Sequence, residues 1–472
     1  MRWVLLLLWC VTAQAAENVT LAWDPSPGPT VSGYRLHYGT ASGVYTEVKD
    51  VGNSTMATVY ALVPGLTYYI VVTAYNSVGE SLPSNEVSFA VTTAQAGLTA
   101  QPSNGGIQVT VTDSPGITDS VYASDDLDSW TLLTSAVNST GTLVIEDPVG
   151  PNRFYQAINN TGTSDPVGVV SLPIAASGLS FLAISLLNPV SYQGTITSFG
   201  SYSVTDGNAN WATDQFDGTN GPFFLEITSG LYAGLMTDIV ATGSDTLTTA
   251  DDLSSVLSGG ESYKIREHRT LGEVFGLNDQ SGLTGGATAS ESDEVIVLDP
   301  TSQSYSIYYY KTSGLGGTGW RSAANVAADA AETKLPPGQG VIVLHQTTGN
   351  LGLVLTGTVK TGSIMVQVKP ALNLLAMAYP EASMTLSSSG LYTGNSQTGL
   401  AGGTSTTADQ ILIFNPDTGE YNAYYYQTTG LGGTGWRSVS SNSVDASNTV
   451  LPGAFFLNRT GSSFFWTLPE PY

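Results

Sequence analysis

A fifteen-residue segment occurs twice in this chain, as YYYKTSGLGGTGWRS at 308–322 and YYYQTTGLGGTGWRS at 424–438, differing at two positions and offset by 116 residues. Near-identity at one offset means a duplicated structural unit, so whatever the first copy folds into, the second folds into as well. The likeness extends outward. DEVIVLDP at 293–300 matches DQILIFNP at 409–416, Leu335-Pro336 matches Leu451-Pro452, and LAISLLNP at 182–189 resembles LAMAYP at 375–380 as the opening of each unit. Each copy reads as a strand, a turn at Pro, the tyrosine strand, the glycine loop and a closing strand. In the second copy the opening leads almost directly to Thr385 and Leu386. In the first the equivalents are Thr270 and Leu271, so 194–269 read as an insertion. Its alternating segments GTITSFGSYSVTD, FFLEITSGLYAGLMTDIVA and ESYKIRE suit a small β-barrel or β-roll, which requires Gly194 and Arg269 to lie close together.

At 472 residues the chain is too long for one core, and 53 Gly, 24 Tyr and abundant Ser and Thr favour turns and strands over helices. The expected fold is all-β and multi-domain. An N-terminal sandwich occupies 17–93 and a second small β-sandwich 94–176. The duplicated module follows, its first copy at 177–362 with the barrel insertion and its second at 363–472. The excess of 38 acidic over 14 basic residues gives a net charge of −24, which repels phosphate backbones and argues against nucleic acid as a partner. Residues 1–16, with one Arg, an apolar run and small residues at Ala13, Ala15 and Ala16, read as a secretory signal cleaved near Glu17. Its apolar run is too short for a membrane span, and no later stretch is long enough. The only cysteine, Cys10, lies inside that signal, so the mature chain has none. That fits an exported bacterial protein, secreted to the medium or the cell surface. Asn18, Asn53, Asn138, Asn159 and Asn458 head N-x-S/T sequons, which matter only in a eukaryotic source.

Trp23 with Asp24 and Pro25, the strand 34–38, the turn Leu62, Pro64, Gly65 and Tyr68, and the run VTAYNSVGES resemble a fibronectin type III domain. The resemblance implies a core Trp23, a corner role for Tyr68, and a spacer or binding platform. No Arg-Gly-Asp triplet is present. Residues 94–176, with SDDLDSW and the pair EDP and NRFY, are similar to a small sandwich module of secreted verrucomicrobial proteins. Asp125, Asp126 and Asp128 there read as a solvated turn rather than a calcium site, since one turn supplies too few oxygens. The remainder resembles an uncharacterised family of secreted verrucomicrobial proteins through its ITSG…AG segment, tyrosine strand and G-W-R turn. That family implies no activity.

Two readings of the repeated motif stand open. Alternation puts Tyr308 and Tyr310 on one face and Tyr309 on the other, with Tyr424, Tyr426 and Tyr425 arranged likewise. The glycines then deliver Trp320 and Arg321, or Trp436 and Arg437, at a sharp corner. Either the tryptophans plug the core while the arginines bond loop carbonyls, or Tyr, Trp and Arg bind sugar rings and two copies give avidity for a polymer. GLGGTGW lacks the Lys and Ser/Thr of a phosphate loop. Asp206, Asn208, Asn210 and Asp217 follow part of a calcium-loop spacing, although Trp211 replaces the needed Gly and Asp217 the bidentate Glu, so an Asx-rich turn competes with it. Calcium is the one cofactor left open. His37, His268 and His345 fall in separate modules, which argues against a zinc site or a Ser-His-Asp triad, and Glu226, Glu261 and Glu267 of the insertion are the carboxylates that could serve glycoside chemistry. The expectation is a non-enzymatic glycan-binding or adhesion protein, with extracellular polysaccharide or a cell-surface protein as partner. A purely structural surface protein is the alternative, and a polysaccharide-degrading enzyme a further one.

Overall fold

The computed structural model describes residues 7–9, 17–27, 30–62, 66–90, 96–218, 222–276, 281–314, 316–380, 383–430, 432–468 and 470–471. Among them the only helical turns are Leu271–Phe275 and Ala289–Glu291, and every other regular element is a strand. The chain is all-β and multi-domain.

In the N-terminal sandwich, alternation buries Val19, Leu21 and Trp23 against Tyr34, Leu36, Ile70, Val72 and Phe89. One sheet joins Leu7–Trp9, Glu17–Ala22 and Met56–Leu62, and the other is built around Gly33–Gly39 and Thr67–Asn76. The Trp23 ring meets Tyr34 edge-on at 5.7 Å, and Tyr68 packs against Tyr38 at 6.4 Å. Pro64 and Gly65, the corner across which Tyr68 was expected to bond, lie outside the described residues. So does the signal expected at 1–16, apart from Leu7–Trp9, which pairs with the next strand through Leu7 opposite Ala22.

The second sandwich sets Gly97–Ser103, Gly106–Thr112 and Thr142–Asp147 against Thr131–Val137, Thr118–Ser124 and Arg153–Asn159, with Val109, Val111, Val121 and Tyr155 between them. Its last strand, Val167–Ile174, also pairs along its whole length with Leu351–Val359. That strand fuses the sandwich to the first copy of the repeat. Asp126 accepts from the amides of Asp128 and Ser129 at 3.0 and 2.7 Å, and Asp125 pairs with Arg153, which is the expected turn geometry.

The duplicated units have one strand order. The first runs Gly178–Ala183, Gly340–His345, Glu294–Asp299, Ser304–Lys311, Gly319–Ser322. The second runs Ala371–Ala376, Ala454–Arg459, Gln410–Asn415, Glu420–Gln427, Gly435–Ser438, and adds Ser441–Asp445 at its edge. Registers agree: Tyr310 lies opposite Trp320, and Tyr426 opposite Trp436. The two sheets pack face to face through Leu298, Ile342, Leu374 and Phe456, with Phe181 against Phe414 and Phe456. They approach so closely at Gly340 that a Cβ there would sit 2.8 Å from Leu374 Cγ, which only glycine permits.

The insertion is a seven-stranded sheet rolled over Ile196, Trp211, Phe216, Leu225, Leu247 and Tyr263. Among the described residues it is open rather than the expected closed barrel, because its terminal strands, Val190–Thr195 and Ser198–Gly200, do not pair with each other. Its ends meet earlier than Gly194. Val190 lies opposite Arg266, Asn188 Nδ2 donates to the His268 carbonyl at 3.3 Å, and Gly194 faces Tyr263 instead of Arg269.

Candidate functional site

The repeated corner is a core element. Trp320 and Trp436 are 2% and 3% exposed, and Tyr309 and Tyr425 are buried as well. Trp320 Nε1 donates to the Gly276 carbonyl at 2.7 Å, and its ring meets Tyr310 edge-on. Tyr426 repeats that contact on Trp436. Tyr308 and Tyr424 are half-buried and pack against the cores of their own copies. The arginines act as staples: Arg321 donates to the carbonyls of Trp320 and Gly316 at 2.7 and 2.6 Å, and Arg437 to those of Trp436 and Gly432 at 2.7 and 2.6 Å. A Cβ at Gly316 or Gly432 would lie 2.5 Å from a facing carbonyl, and both have φ in the left-handed region. The sugar platform read from Tyr308, Tyr310, Trp320, Arg321, Tyr424, Tyr426, Trp436 and Arg437 is therefore corrected. A buried indole offers no face, and an arginine holding its own loop has little left for a ligand.

The loop at Asp206 is likewise an Asx-type turn. The Asp206 carboxylate points inward, accepting from Asn208 N at 3.0 Å and from the Tyr263 hydroxyl at 2.8 Å, and Trp211 is buried beside it. Asn210 is exposed, and the Asp217 amide donates to the Asp214 carbonyl at 3.5 Å. No group of three His, Cys, Asp or Glu among the described residues is placed to hold a metal.

The three histidines are each engaged. His37 bonds Thr73 and Glu80, His268 bonds Asp238, and His345 bonds the buried Asp293. The three glutamates do not converge either. Glu261 accepts from the Ser258 and Gly259 amides at 2.7 and 2.8 Å. Glu267 stands apart, its carboxyl pushed up by burial and then by the charges of Glu273 and Glu332. Glu226 is buried between Lys360 at 2.8 Å and Arg266 at 3.5 Å. That cluster lines a cavity of about 210 Å³ where the insertion meets Gly362 and Ser363 at the junction of the two copies; Lys264 also lines it and pairs with Asp165. Sequence reasoning missed Lys360, since nothing in VKTG distinguishes a buried lysine. Its ammonium also bonds the Thr361 and Gly362 carbonyls, so the arrangement fastens insertion to repeat. Glu226 is held between two cations, and neither Glu261 nor Glu267 lines its cavity.

Among the described residues the most exposed large apolar side chains are Val78 at 93%, and Leu82 and Leu231 at 89% each. Val78 and Leu82 flank one hairpin at a pole of the N-terminal sandwich. Asn76 Oδ1 holds that turn by accepting from Val78 N at 2.8 Å, and a concavity of about 410 Å³ beside it is lined by Thr30, Tyr75, Asn76, Val78 and Glu80. No strand of this sandwich pairs with any strand outside it among the described residues.

The family model of the fibronectin type III domain matches residues 10–90. The N-terminal sandwich is a fibronectin type III domain. Such a domain fits an extracellular adhesion or binding role, and no described helix is long and apolar enough to cross a membrane. A kelch domain-containing protein of Saccharolobus solfataricus is 31% identical over 194 residues, covering 39% of this chain and 26% of its own. One from Sulfurisphaera tokodaii is 23% identical over 230 residues, covering 47% and 31%. The chain thus spans between a quarter and a third of the curated relatives it matches. Among solved structures, a segment of two fibronectin type III domains from chicken tenascin aligns at 16% identity and a TM-score of 0.25. It covers 34% of this chain and 93% of that one. The chicken interferon gamma receptor alpha chain aligns at 12% identity and a TM-score of 0.21, covering 33% and 94%.

Proposed function

We propose that this is a non-enzymatic, secreted adhesion protein that presents its fibronectin type III domain to a protein partner from a rigid mount formed by the rest of the chain. The observation that carries the reading is the exposure of Val78 and Leu82 at the free pole of that domain, 93% and 89%, beside a polar-rimmed concavity. The mount follows from the fused strand 167–174, the face-to-face repeats and the buried Glu226 with Lys360. Polysaccharide is the weaker partner, because Trp320 and Trp436, the broadest faces available to a sugar, are buried and the tyrosines beside them are half-buried. Secretion by a cleaved leader and kinship of the C-terminal part with uncharacterised verrucomicrobial proteins belong to this same reading and rest on sequence motifs.

The test applies labelled full-length protein to producing cells that are untreated, protease-shaved or periodate-oxidised. Binding lost after shaving, and in the full chain carrying Val78→Asp and Leu82→Asp with unchanged thermal stability, supports the proposal. Binding lost after periodate but indifferent to the two substitutions restores polysaccharide as the partner. Absence of binding in every arm leaves the spacer role.

A further inference from the structure

The outer face of the insertion gathers positive charge in a chain that has little of it. Along the strand Ser262–Glu267, Tyr263 and Ile265 enter the insertion's core, while Lys264 and Arg266 turn the other way. Glu226 lies opposite Lys264 on the neighbouring strand, Phe223–Ile227. Lys360 joins them from just beyond the strand Leu351–Val359, held by Glu226 and by the carbonyls of Thr361 and Gly362. The whole chain has 14 basic residues against 38 acidic ones, yet the lining of this cavity of about 210 Å³ includes three cations and a single carboxylate. Counting Asp165, the partner of Lys264, three cations against two carboxylates still leave one positive charge. Charge held away from bulk water needs an opposite charge.

A second, independent feature points to the kind of anion. Arg266 is 1% exposed and Glu226 2%, and both line the cavity. Arg266 Nε and Glu226 Oε2 stand 3.5 Å apart, and each is buried with no hydrogen-bond partner. They attract by charge, but the N–H does not meet the lone pair. One oxygen about 2.8 Å from each atom fits that gap if it accepts from Nε–H and donates to the carboxylate, which makes it a hydroxyl oxygen. Burial pushes the Arg266 pKa down, and the charges of Glu226 and Asp165 only partly restore it, so the guanidinium is short of negative charge. An oxyanion that keeps a proton meets both demands. At neutral pH hydrogenphosphate keeps one, whereas sulfate, of the same shape, keeps none.

We propose that this cavity binds hydrogenphosphate: Arg266 Nε and the Lys264 ammonium donate to its oxygens, and its O–H donates to Glu226 Oε2. Lys360 acts through Glu226, holding that carboxylate ionised and in place. Glu226 sets the selectivity, since it accepts the proton of phosphate and repels the bare oxygens of sulfate. The net charge of −24 turns polyanions away from the surface as a whole, but a single small ion meets a local excess of positive charge here. Seated between the insertion and residues 360–363, the ion adds to the fastening that Lys360 already makes, so its binding is read as thermal stability.

The test melts the full chain at neutral pH and constant ionic strength in chloride buffer, with about 10 mM sodium phosphate or about 10 mM sodium sulfate added. Phosphate should raise the melting temperature by roughly 3 °C or more and sulfate by less than about 1 °C; both salts strengthen apolar burial in general, so the difference between them reports the site. Calorimetric titration with phosphate should give about one ion per chain. Lys264→Gln, at a partly exposed lysine, should fold normally and weaken phosphate binding roughly tenfold or more, the loss expected of one charge-assisted hydrogen bond. Glu226→Gln removes the repulsion and should bring the sulfate shift up to that of phosphate. Should it fail to fold beside Lys360, the Lys264→Gln titration decides alone. Equal shifts from the two anions in the wild type, or none from either, would leave a water-filled charge cluster and overturn the site. Phosphate binding that Lys264→Gln leaves unchanged would overturn it equally.

Discussion

Each copy of the repeat is locked by one buried acid, and the two locks should fail differently. In the second copy Asp409 accepts from Ala401 N, Thr460 N and Thr460 Oγ1, each at 2.7 Å, and forms a buried ion pair with Arg459. In the first, the equivalent Asp293 accepts from Thr284 N and Gln346 N at 2.7 Å and pairs with His345. Asp409→Asn keeps the shape but strips the counter-charge from an arginine that cannot shed its proton, and it turns an NH2 group toward backbone donors. Removing one member of a buried pair costs about 3–5 kcal/mol. The matching Asp293→Asn leaves no guanidinium without its partner, so its cost is that of the lost hydrogen bonds, about 1–3 kcal/mol. For a cooperative unit of this size the second-copy variant should melt about 10 °C below the wild type, and the first-copy variant less than half as far below it. Paired calorimetric scans at pH 7 measure both. Equal losses in the two variants, or losses under about 1 kcal/mol in each, would refute the idea that these acids are the internal locks of their copies.

Trp320→Ala and Trp436→Ala should each destabilise by about 3–5 kcal/mol, as truncation of buried aromatic side chains does; urea unfolding measures this, and a neutral result would return the corner to the surface. Burial alone would raise the Asp238 carboxyl, but hydrogen bonds from His268 and Lys334 hold it down at about 2. A depressed carboxyl stabilises the fold above its unfolded value and loses that contribution as pH falls from about 4 to 2. Because the side chain is about one-third exposed, Asp238→Asn should cost only about 1 kcal/mol at pH 7 and nothing near pH 2, a convergence that acid titration of both proteins would reveal.

The strand content, the fibronectin type III domain and the duplication were legible because each rests on local pattern: period-two alternation around Leu21 and Trp23, and a verbatim repeat at one offset. The site was not legible for the same reason. Whether Trp320 faces water depends on Phe275 and Gly276, which pack against it from a turn more than forty residues upstream. Aromatic alternation is the same for a sugar platform and a core plug, and only the partner across the fold decides between them. The barrel expected for the insertion failed on closure, which is a property of strands distant in sequence.

Near-identity of 308–322 and 424–438 beside divergence elsewhere has a physical explanation in the surroundings of each copy. The corner is self-contained: its arginine bonds carbonyls of its own loop, and its tryptophan meets the tyrosine opposite it in register, so nothing outside the copy asks it to change. The remaining surfaces face unlike neighbours. The first copy's core is completed by Phe154, Val170 and Ile174 of the second sandwich, and the second copy's by Ile364, Phe464 and Trp466 of its own ribbon, whose Met365 and Phe465 pack on the insertion. Residues meeting different partners must differ in size and charge, and even the equivalent locks diverge to His345 and Arg459. A segment repeated almost unchanged inside a duplicated fold is therefore better explained by independence from its neighbours than by a shared ligand.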